Sequence, residues 1–363
     1  MKYFTSIDGK ALRYQRLLAT GGIGTGLFFA LEGNHTLGRN ESRLGALLPH
    51  QDYCKQHVIT HYVAVLLGGA QGRFTVHAMG KVGQDAPGRA LIAQMRRAGI
   101  QTEAVVPVAE APTLQSICFQ YPDASGGNIT SSNSASAQVA PEDIHSALAK
   151  IPRDGVPEMM LAAPEVPVEA RAAMLAAGRE RGALNVASVL SGEVEAFTRQ
   201  GLWKSIDLLA VNIDEAAAIA AMDAQEDAPE QICGACRAWL RQRNPAMRIL
   251  VSNGAKGCYG MEGCDFQHLP AIPLKAVSTA GAGDALLAGA MAGLCLGLPL
   301  LRPPGEQAYS CAVDVGILLA AFSVTSPHTI HPQADAQSLA CFAQSQGISY
   351  APAFAALLQN TLP

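Results

Sequence analysis

Ser278-Thr279-Ala280-Gly281-Ala282-Gly283-Asp284, followed by the small-residue run Ala285-Leu286-Leu287-Ala288-Gly289-Ala290-Met291-Ala292-Gly293-Leu294, is the stretch around which the chain is organised. Small residues ahead of an acid let backbone N–H groups crowd a ligand at a helix N-terminus, where unpaired donors and the helix dipole favour an anion. Asp284 falls in the first turn of that helix, where the dipole favours the ionised form that can accept a proton. A base beside an anion hole points to group transfer. A tight strand-to-helix turn with an acidic first-turn residue would read the same way with no ligand at all, so the surrounding chain has to decide.

Upstream of this stretch the hydrophobic period switches regularly. Residues 140–151 read as a helix, 158–163 as a strand, 168–181 as a helix, 183–189 as a strand, 193–205 as a helix, 207–211 as a strand, 228–243 as a helix and 247–251 as a strand. Such alternation implies a mainly parallel sheet with helices on both faces, whose ligands gather at the carboxyl ends of the strands. The polar motifs fall there. Asn212-Ile213-Asp214-Glu215 follows one strand, Ser252-Asn253-Gly254-Ala255-Lys256-Gly257 follows the next, and the turn at Gly281 follows a third. Polar turns gathered on one sheet edge favour the anion hole over the bare turn. Downstream, 307–321 and 335–343 read as helices.

The N-terminal part is less regular. Residues 14–19 read as a strand leading into Gly21-Gly22-Ile23-Gly24-Thr25-Gly26, which outwardly resembles a dinucleotide-binding turn with Glu41 downstream. A turn at Gly33-Asn34 arrives too soon for the helix and second strand of that unit, so no nicotinamide or flavin site is expected. Asn34, His35, Arg39, Asn40, Glu41 and Arg43 form a polar cluster suited either to a polyhydroxylated substrate or to a solvated loop. His57 and His61 stand four apart on an expected helix and, with no third ligand in reach, read as a helix face. Residues 74–79, the turn Gly80-Lys81-Val82-Gly83-Gln84-Asp85 and a helix over 86–99 make a βα unit. Strands over 102–108 and 116–121, then a turn at Ala124-Ser125-Gly126-Gly127 before 128–132, suggest a small antiparallel insertion, naturally used as a lid.

The chain has 363 residues, a charged fraction of 15% and a net charge of −4, the balance of a well-packed protein with no electrostatic footprint for nucleic acid or anionic membrane. The first residues carry Lys2, Asp8, Lys10, Arg13 and Arg16 without the apolar run of a signal peptide, and no stretch is apolar enough to span a bilayer. A cytoplasmic enzyme is therefore expected. The nine cysteines are scattered and mostly embedded in apolar patterns, as small buried hydrophobes in a reducing compartment would be. The single CxxC, Cys233 to Cys236, lies within an expected helix and lacks the companions of a metal site.

Taken together, Gly80-Lys-Val-Gly83-Gln-Asp85, Asn212-Ile-Asp-Glu215, Ser252-Asn-Gly254-Ala-Lys-Gly257 and Thr279-Ala-Gly281-Ala-Gly283-Asp284 resemble, in order and spacing, the ribokinase-like, PfkB-type family of sugar kinases over roughly residues 75 to 330. The run Asn128-Ile129-Thr130-Ser131-Ser132-Asn133-Ser134-Ala135-Ser136 is similar to that family's lid segment. The resemblance implies an α/β fold, a ribokinase-like three-layer sandwich with a mainly parallel central sheet, helices on both faces and a small β lid. It implies one kinase domain over 1–363, with lid segments near 22–45 and 102–134. It also implies ATP-dependent phosphorylation of a hydroxyl, usually a primary alcohol of a sugar.

In that reading Asp284 is the base, and backbone N–H groups of the Gly281-Ala282-Gly283-Asp284 turn hold the transferring phosphoryl oxygens. Glu215, with Asn212, acts through water on Mg²⁺, and Ser252, Gly254 and Gly257 line the ATP site. Two departures matter. Ser278 stands where the family usually has Asp, a position that in some members helps hold K⁺, which leaves K⁺ dependence open. The region comparable to the family's sugar-binding Gly-Gly and Asn pattern reads Cys54-Lys-Gln-His57-Val-Ile-Thr-His61. Asn34, His35, Arg39 and Asn128 are therefore expected to bind the substrate instead. A kinase for a nucleoside or another small alcohol is the alternative, and a non-catalytic nucleotide or sugar sensor a further one. A free lid edge would allow pairing of two subunits as a homodimer.

Overall fold

Neighbouring residues of the first strand leave for different cores. Leu17 and Ala19 pack with one set of helices and Leu18 with another, as the two-residue repeat of a strand buried on both faces requires. The computed structural model describes residues 2–5, 11–123, 126–224, 226–359 and 361. Its strands are, in chain order, β1 (Arg16–Thr20), β2 (Gly24–Leu31), β3 (Gly45–Tyr53), β4 (Thr75–Gly83), β5 (Ile100–Val108), β6 (Leu114–Gln120) and β7 (Gly126–Thr130). They continue as β8 (Glu158–Ala162), β9 (Leu184–Ser188), β10 (Leu208–Asn212), β11 (Arg248–Ser252), β12 (Cys258–Glu262) and β13 (Asp265–Leu269). The helices are α1 (Lys55–Leu67), α2 (Ala86–Arg97), α3 (Pro141–Leu148), α4 (Val168–Arg181), α5 (Val194–Arg199) and α6 (Ile213–Ala220). After them come α7 (Pro229–Arg241), α8 (Ala282–Cys295), α9 (Ala312–Ser323), α10 (Ala336–Ser345) and α11 (Pro352–Gln359).

A nine-stranded sheet in the order β13-β12-β11-β10-β9-β8-β1-β4-β5 forms the middle layer. It is parallel from β11 to β5, and only the β12 and β13 hairpin at one edge runs antiparallel. One face is covered by α1, α2, α8 and α9, whose buried side chains join Leu17, Val76 and Leu161. The opposite face carries α3 to α7, with Met174 and Leu175 of α4 feeding two smaller clusters. The expected three-layer α/β sandwich is thus observed. Among the described residues no helix is long and apolar enough to cross a membrane.

The lid is a second, four-stranded sheet, β3-β2-β6-β7. Its centre is a parallel pair, β2 with β6, flanked by antiparallel partners, so it is not the purely antiparallel piece the pattern suggests. Its bounds also differ from the expected 22–45 and 102–134. Residues 102–108 pair with β4 as the edge of the main sheet, because a helix-linked strand following α2 completes a parallel crossover. Residues 45–53 belong to the lid instead. Ala124 and Ser125, read as part of a turn, lie outside the described residues. The helix read over 193–205 stops at Arg199, where Gly201 takes φ 63°, and the one read from 307 begins at Ala312.

Candidate functional site

The carboxyl ends of β9, β10 and β11 and the N-terminus of α8 enclose a cavity of about 650 Å³. Ser188, Asn212, Ser252 and Asp284 meet there, from stretches of the chain far apart in sequence. Topology brings them together: parallel strands all end on one edge.

At the head of α8, Gly281 takes φ 76°, and a side chain on it would stand 3.0 Å from the Thr329 carbonyl. Both the left-handed backbone and the close approach call for glycine. The Ala285 N–H makes the first helical bond to Gly281, and the Ala282 N–H is drawn back to the Thr279 carbonyl at 3.2 Å. The N–H groups of Gly283 and Asp284 have no backbone acceptor among the described residues. These two open donors leave the helix N-terminus able to receive an anion, with Ala282 available only if it leaves Thr279.

Asp284 is largely shielded, its side chain 15% exposed, and desolvation pushes its carboxyl above the usual range while the neighbouring Lys55 pulls it down. Lys55 is the first residue of α1, and its Nζ lies 3.8 Å from Asp284 Oδ1. The ammonium is held above its ordinary value chiefly by Asp284, with Glu215 and Glu165 adding to the effect. Beside this pair, Glu165 sits just past β8 with φ 73°, an unusual backbone for a non-glycine residue. Its Oε2 accepts the Lys55 backbone N–H at 3.3 Å, and burial raises its carboxyl to about 7. The sequence reading assigned no role to Lys55 or Glu165. Lys55 lies within the stretch quoted above for its lack of a familiar pattern, and Glu165 could have been found by the strand-end rule that found Asn212.

Asn212 and Glu215 cap α6 reciprocally. Asn212 Oδ1 accepts the Glu215 N–H and Glu215 Oε2 accepts the Asn212 N–H, each at 2.8 Å. The cap fixes the Glu215 carboxyl at the cavity wall, where burial raises its pKa and Lys55 lowers it. Ser252, Gly254 and Gly257 line the cavity. Ile272, Pro273, Leu274, Ile317 and Val324 give part of the cavity an apolar lining. Such a lining suits the flat face of a base.

The expected substrate residues fall elsewhere. Asn34, His35 and Arg39 are on the exposed loop between β2 and β3, where Asn34 Oδ1 accepts the Asp123 N–H and His35 pairs with Glu41 at 3.0 Å. Glu41 also binds Arg43, which holds its carboxyl down to about 2. The loop is tied internally through Glu41 and to the neighbouring chain through Tyr121 and Asp123, and none of its residues lines the cavity. Asn128 is on lid strand β7, its amide oxygen accepting the Thr130 hydroxyl at 3.3 Å. His57 and His61 lie on α1 as expected, His57 buried and His61 half-buried. Cys233 and Cys236 are buried in α7, and burial pushes both thiols up to about 12. No group of metal-ligating residues large enough to hold an ion occurs among the described residues.

A family model described as pfkB family carbohydrate kinase matches residues 61–336. No curated protein matches the chain. Among solved structures, the ribokinase of Cryptococcus neoformans var. grubii serotype A in complex with ADP is similar with a TM-score of 0.71 at 19% identity, covering 91% of this chain and 99% of that one. The nucleoside kinase of Burkholderia thailandensis in complex with inosine has a TM-score of 0.69 at 16% identity, covering 92% and 99%. The aminoimidazole riboside kinase of Salmonella enterica, complexed with its riboside and an ATP analogue, has a TM-score of 0.63 at 18% identity, covering 90% and 99%. At these identities the likeness is one of fold.

Proposed function

The chain belongs to the pfkB family of carbohydrate kinases, and from that premise we propose that it transfers the γ-phosphoryl group of MgATP to a hydroxyl of a sugar or sugar derivative, acting as a single domain over 1–363. The observation that carries this reading is the Asp284 carboxylate in the first turn of α8, beside the open N–H groups of Gly283 and Asp284 and 3.8 Å from Lys55. Asp284 takes the acceptor's proton as the O–P bond forms, and ADP leaves with the electrons of the broken bond. The helix N-terminus and Lys55 stabilise the charge on the phosphoryl oxygens in flight. The apolar part of the cavity holds the base of the nucleotide, and Ser252, Gly254 and Gly257 approach its phosphates.

The donor set fits Mg²⁺ bound through water, since Glu215 presents a capped carboxylate at the cavity wall. When bound, the ion would neutralise polyphosphate charge. The position considered for K⁺ does not fit, because Ser278 offers no carboxylate and its hydroxyl oxygen accepts the Ala280 N–H at 3.3 Å. No role is assigned to K⁺. All nine cysteines are unpaired, which suits a cytoplasmic setting. We also infer a homodimer through the lid, supported by the exposed ladder of Leu27, Ile117 and Ile129 across β2, β6 and β7. Ile129→Glu should convert a dimer to monomer in light scattering, and a wild-type monomer would refute the pairing.

A second reading, a nucleoside or other ring-bearing alcohol as acceptor, is favoured by Phe28 packing 5.5 Å from His50 on the lid, with His50 meeting His328. ADP release from MgATP across sugars, polyols and nucleosides tests both. Turnover on one acceptor that falls about a thousandfold in Asp284→Asn is the expected result. Retained turnover in that variant would refute Asp284 as base.

A further inference from the structure

Strand β3 is an edge of the lid sheet, and an edge leaves backbone groups on its outer side without a partner in the sheet. At its end a segment from far along the chain supplies them. Residues 324–331 follow α9 and bond to β3 through two neighbouring residues. The Gln51 N–H donates to His328 Nδ1 at 2.9 Å, and the Thr329 N–H donates to the Gln51 carbonyl at 3.1 Å. Thr329 Oγ1 accepts the Tyr53 N–H at 3.1 Å and donates to the Gln51 carbonyl at 3.4 Å. The segment is a strap, and a threonine hydroxyl is one of its pins.

The same strap reaches the cavity and α1. The Val324 carbonyl accepts the Val277 N–H at 2.8 Å, and Val324 lines the cavity. The Thr329 carbonyl stands against Gly281, where a Cβ would lie 3.0 Å away, and accepts the Tyr62 hydroxyl at 3.3 Å. Tyr62 Oη in turn accepts the His331 N–H at 2.8 Å. Thr329 and Tyr62 are both buried, so water does not compete for these bonds. Lys55 opens α1 shortly after Tyr53, with Tyr62 about two turns further on. The strap therefore holds the chain on both sides of Lys55.

Building on the kinase reading above, we propose that Thr329 is a positioning residue that, through the Tyr53 N–H and the Tyr62 hydroxyl, sets where Lys55 stands relative to Asp284 and so couples the lid to the turn at Gly281. Thr329 does not line the cavity and acts only through these neighbours. The Lys55 Nζ to Asp284 Oδ1 distance of 3.8 Å is about 1 Å longer than a charge-assisted hydrogen bond, so a small displacement of the end of β3 makes or breaks that contact. The pair lies in the field of the Asp52, Glu165, Glu193 and Glu215 carboxylates, which makes the place of the lysine the sensitive variable. A lid that shifts β3 thereby moves Lys55.

The test compares Thr329→Val, which keeps the shape and removes the hydroxyl, with Thr329→Ser, which keeps the hydroxyl. ADP release from MgATP is measured on the whole protein with the acceptor that turns over best. Separately, without nucleotide, the Asp284 carboxyl is titrated by NMR of protein carrying isotope-labelled aspartate, its signal assigned by its loss in Asp284→Asn. Thr329→Val should lower kcat about tenfold while KM for MgATP stays within about twofold. It should also raise the pH midpoint of Asp284 by about half a unit, because Lys55 is less firmly held beside it. Thr329→Ser should leave both near wild type, and His328→Phe, which removes the acceptor of the Gln51 N–H, should act as Thr329→Val does but more weakly. An unmoved midpoint in Thr329→Val, or in His328→Phe if the valine variant does not fold, overturns the proposal, as does a serine variant as impaired as the valine one. A lower melting temperature with an unmoved midpoint marks Thr329 as merely structural and overturns it equally. A moved midpoint in a protein that releases no ADP with any acceptor upholds the strap and refutes the kinase reading, so the two fail separately.

Discussion

At the residue scale the site depends on a small set of opposed charges. In the proposed reaction Asp284 must be ionised to accept a proton; desolvation works against that, and Lys55 is the group that offsets it. Replacing Lys55 with Met removes the offset, so the Asp284 carboxyl rises further. The acid limb of the pH dependence of kcat/KM should then move up by about one unit, while ADP affinity falls only modestly. An unmoved limb would mean that Lys55 is not coupled to the base. The places of Asp284 and Gly281 at the head of a helix could be read from sequence because a glycine turn ahead of a first-turn acid is a local signal. The places of Lys55 and Glu165 could not, because each is set only by what another segment brings beside it.

At the scale of elements, the strand ends under the cavity are held by an unusual device. Arg171 of α4 is fully buried and donates to the carbonyls of Ser188 and Ala162, at the ends of β9 and β8. Its Nη1 pairs with Glu193 at 2.7 Å, and its guanidinium lies 4.5 Å from the centre of the Phe197 ring. Burial lowers the Arg171 pKa and Glu193 raises it, so the charge persists through pairing. Removing the arginine would leave the carbonyls unmet and Glu193 unpaired. Arg171→Leu should destabilise the fold by about 3 kcal/mol in urea unfolding, and a cost under about 1 kcal/mol would show that the strand ends hold without it. The periodicity of α4 marks it as a helix, but the burial of its arginine is a tertiary fact.

For the whole molecule, acid is the expected weakness. Both ring nitrogens of His57 and Nδ1 of His61 are buried without a hydrogen-bond partner, and burial lowers the two pKa values to about 3 and about 4. The folded protein keeps these rings neutral while the unfolded chain takes up protons from about pH 6.5 downward. Their contribution is therefore complete above that pH and is lost as pH falls toward 3, on the order of 2 kcal/mol each by pH 5. Thermal melts from pH 7.5 to 5 should show a steep fall that His57→Gln with His61→Gln flattens. An equally steep fall in the double variant would place the acid sensitivity elsewhere.

The sequence by itself determined the alternation of strands and helices, the parallel sheet it implies, and the motifs at Asn212, Ser252 and Gly281, because these signals are periodic or confined to a single turn. The tertiary structure decided which side chains face one another. Residues 102–108 joined the main sheet because hydrogen bonding to β4 outweighs a local pattern that suits either sheet. The polar loop carrying His35 and Arg39 closed on Glu41 and stayed outside the cavity. Glu165 came beside Lys55 through a contact between segments distant in sequence. Periodicity records which face a residue presents, whereas a binding site is a set of long-range contacts, and those exist only once the chain has folded.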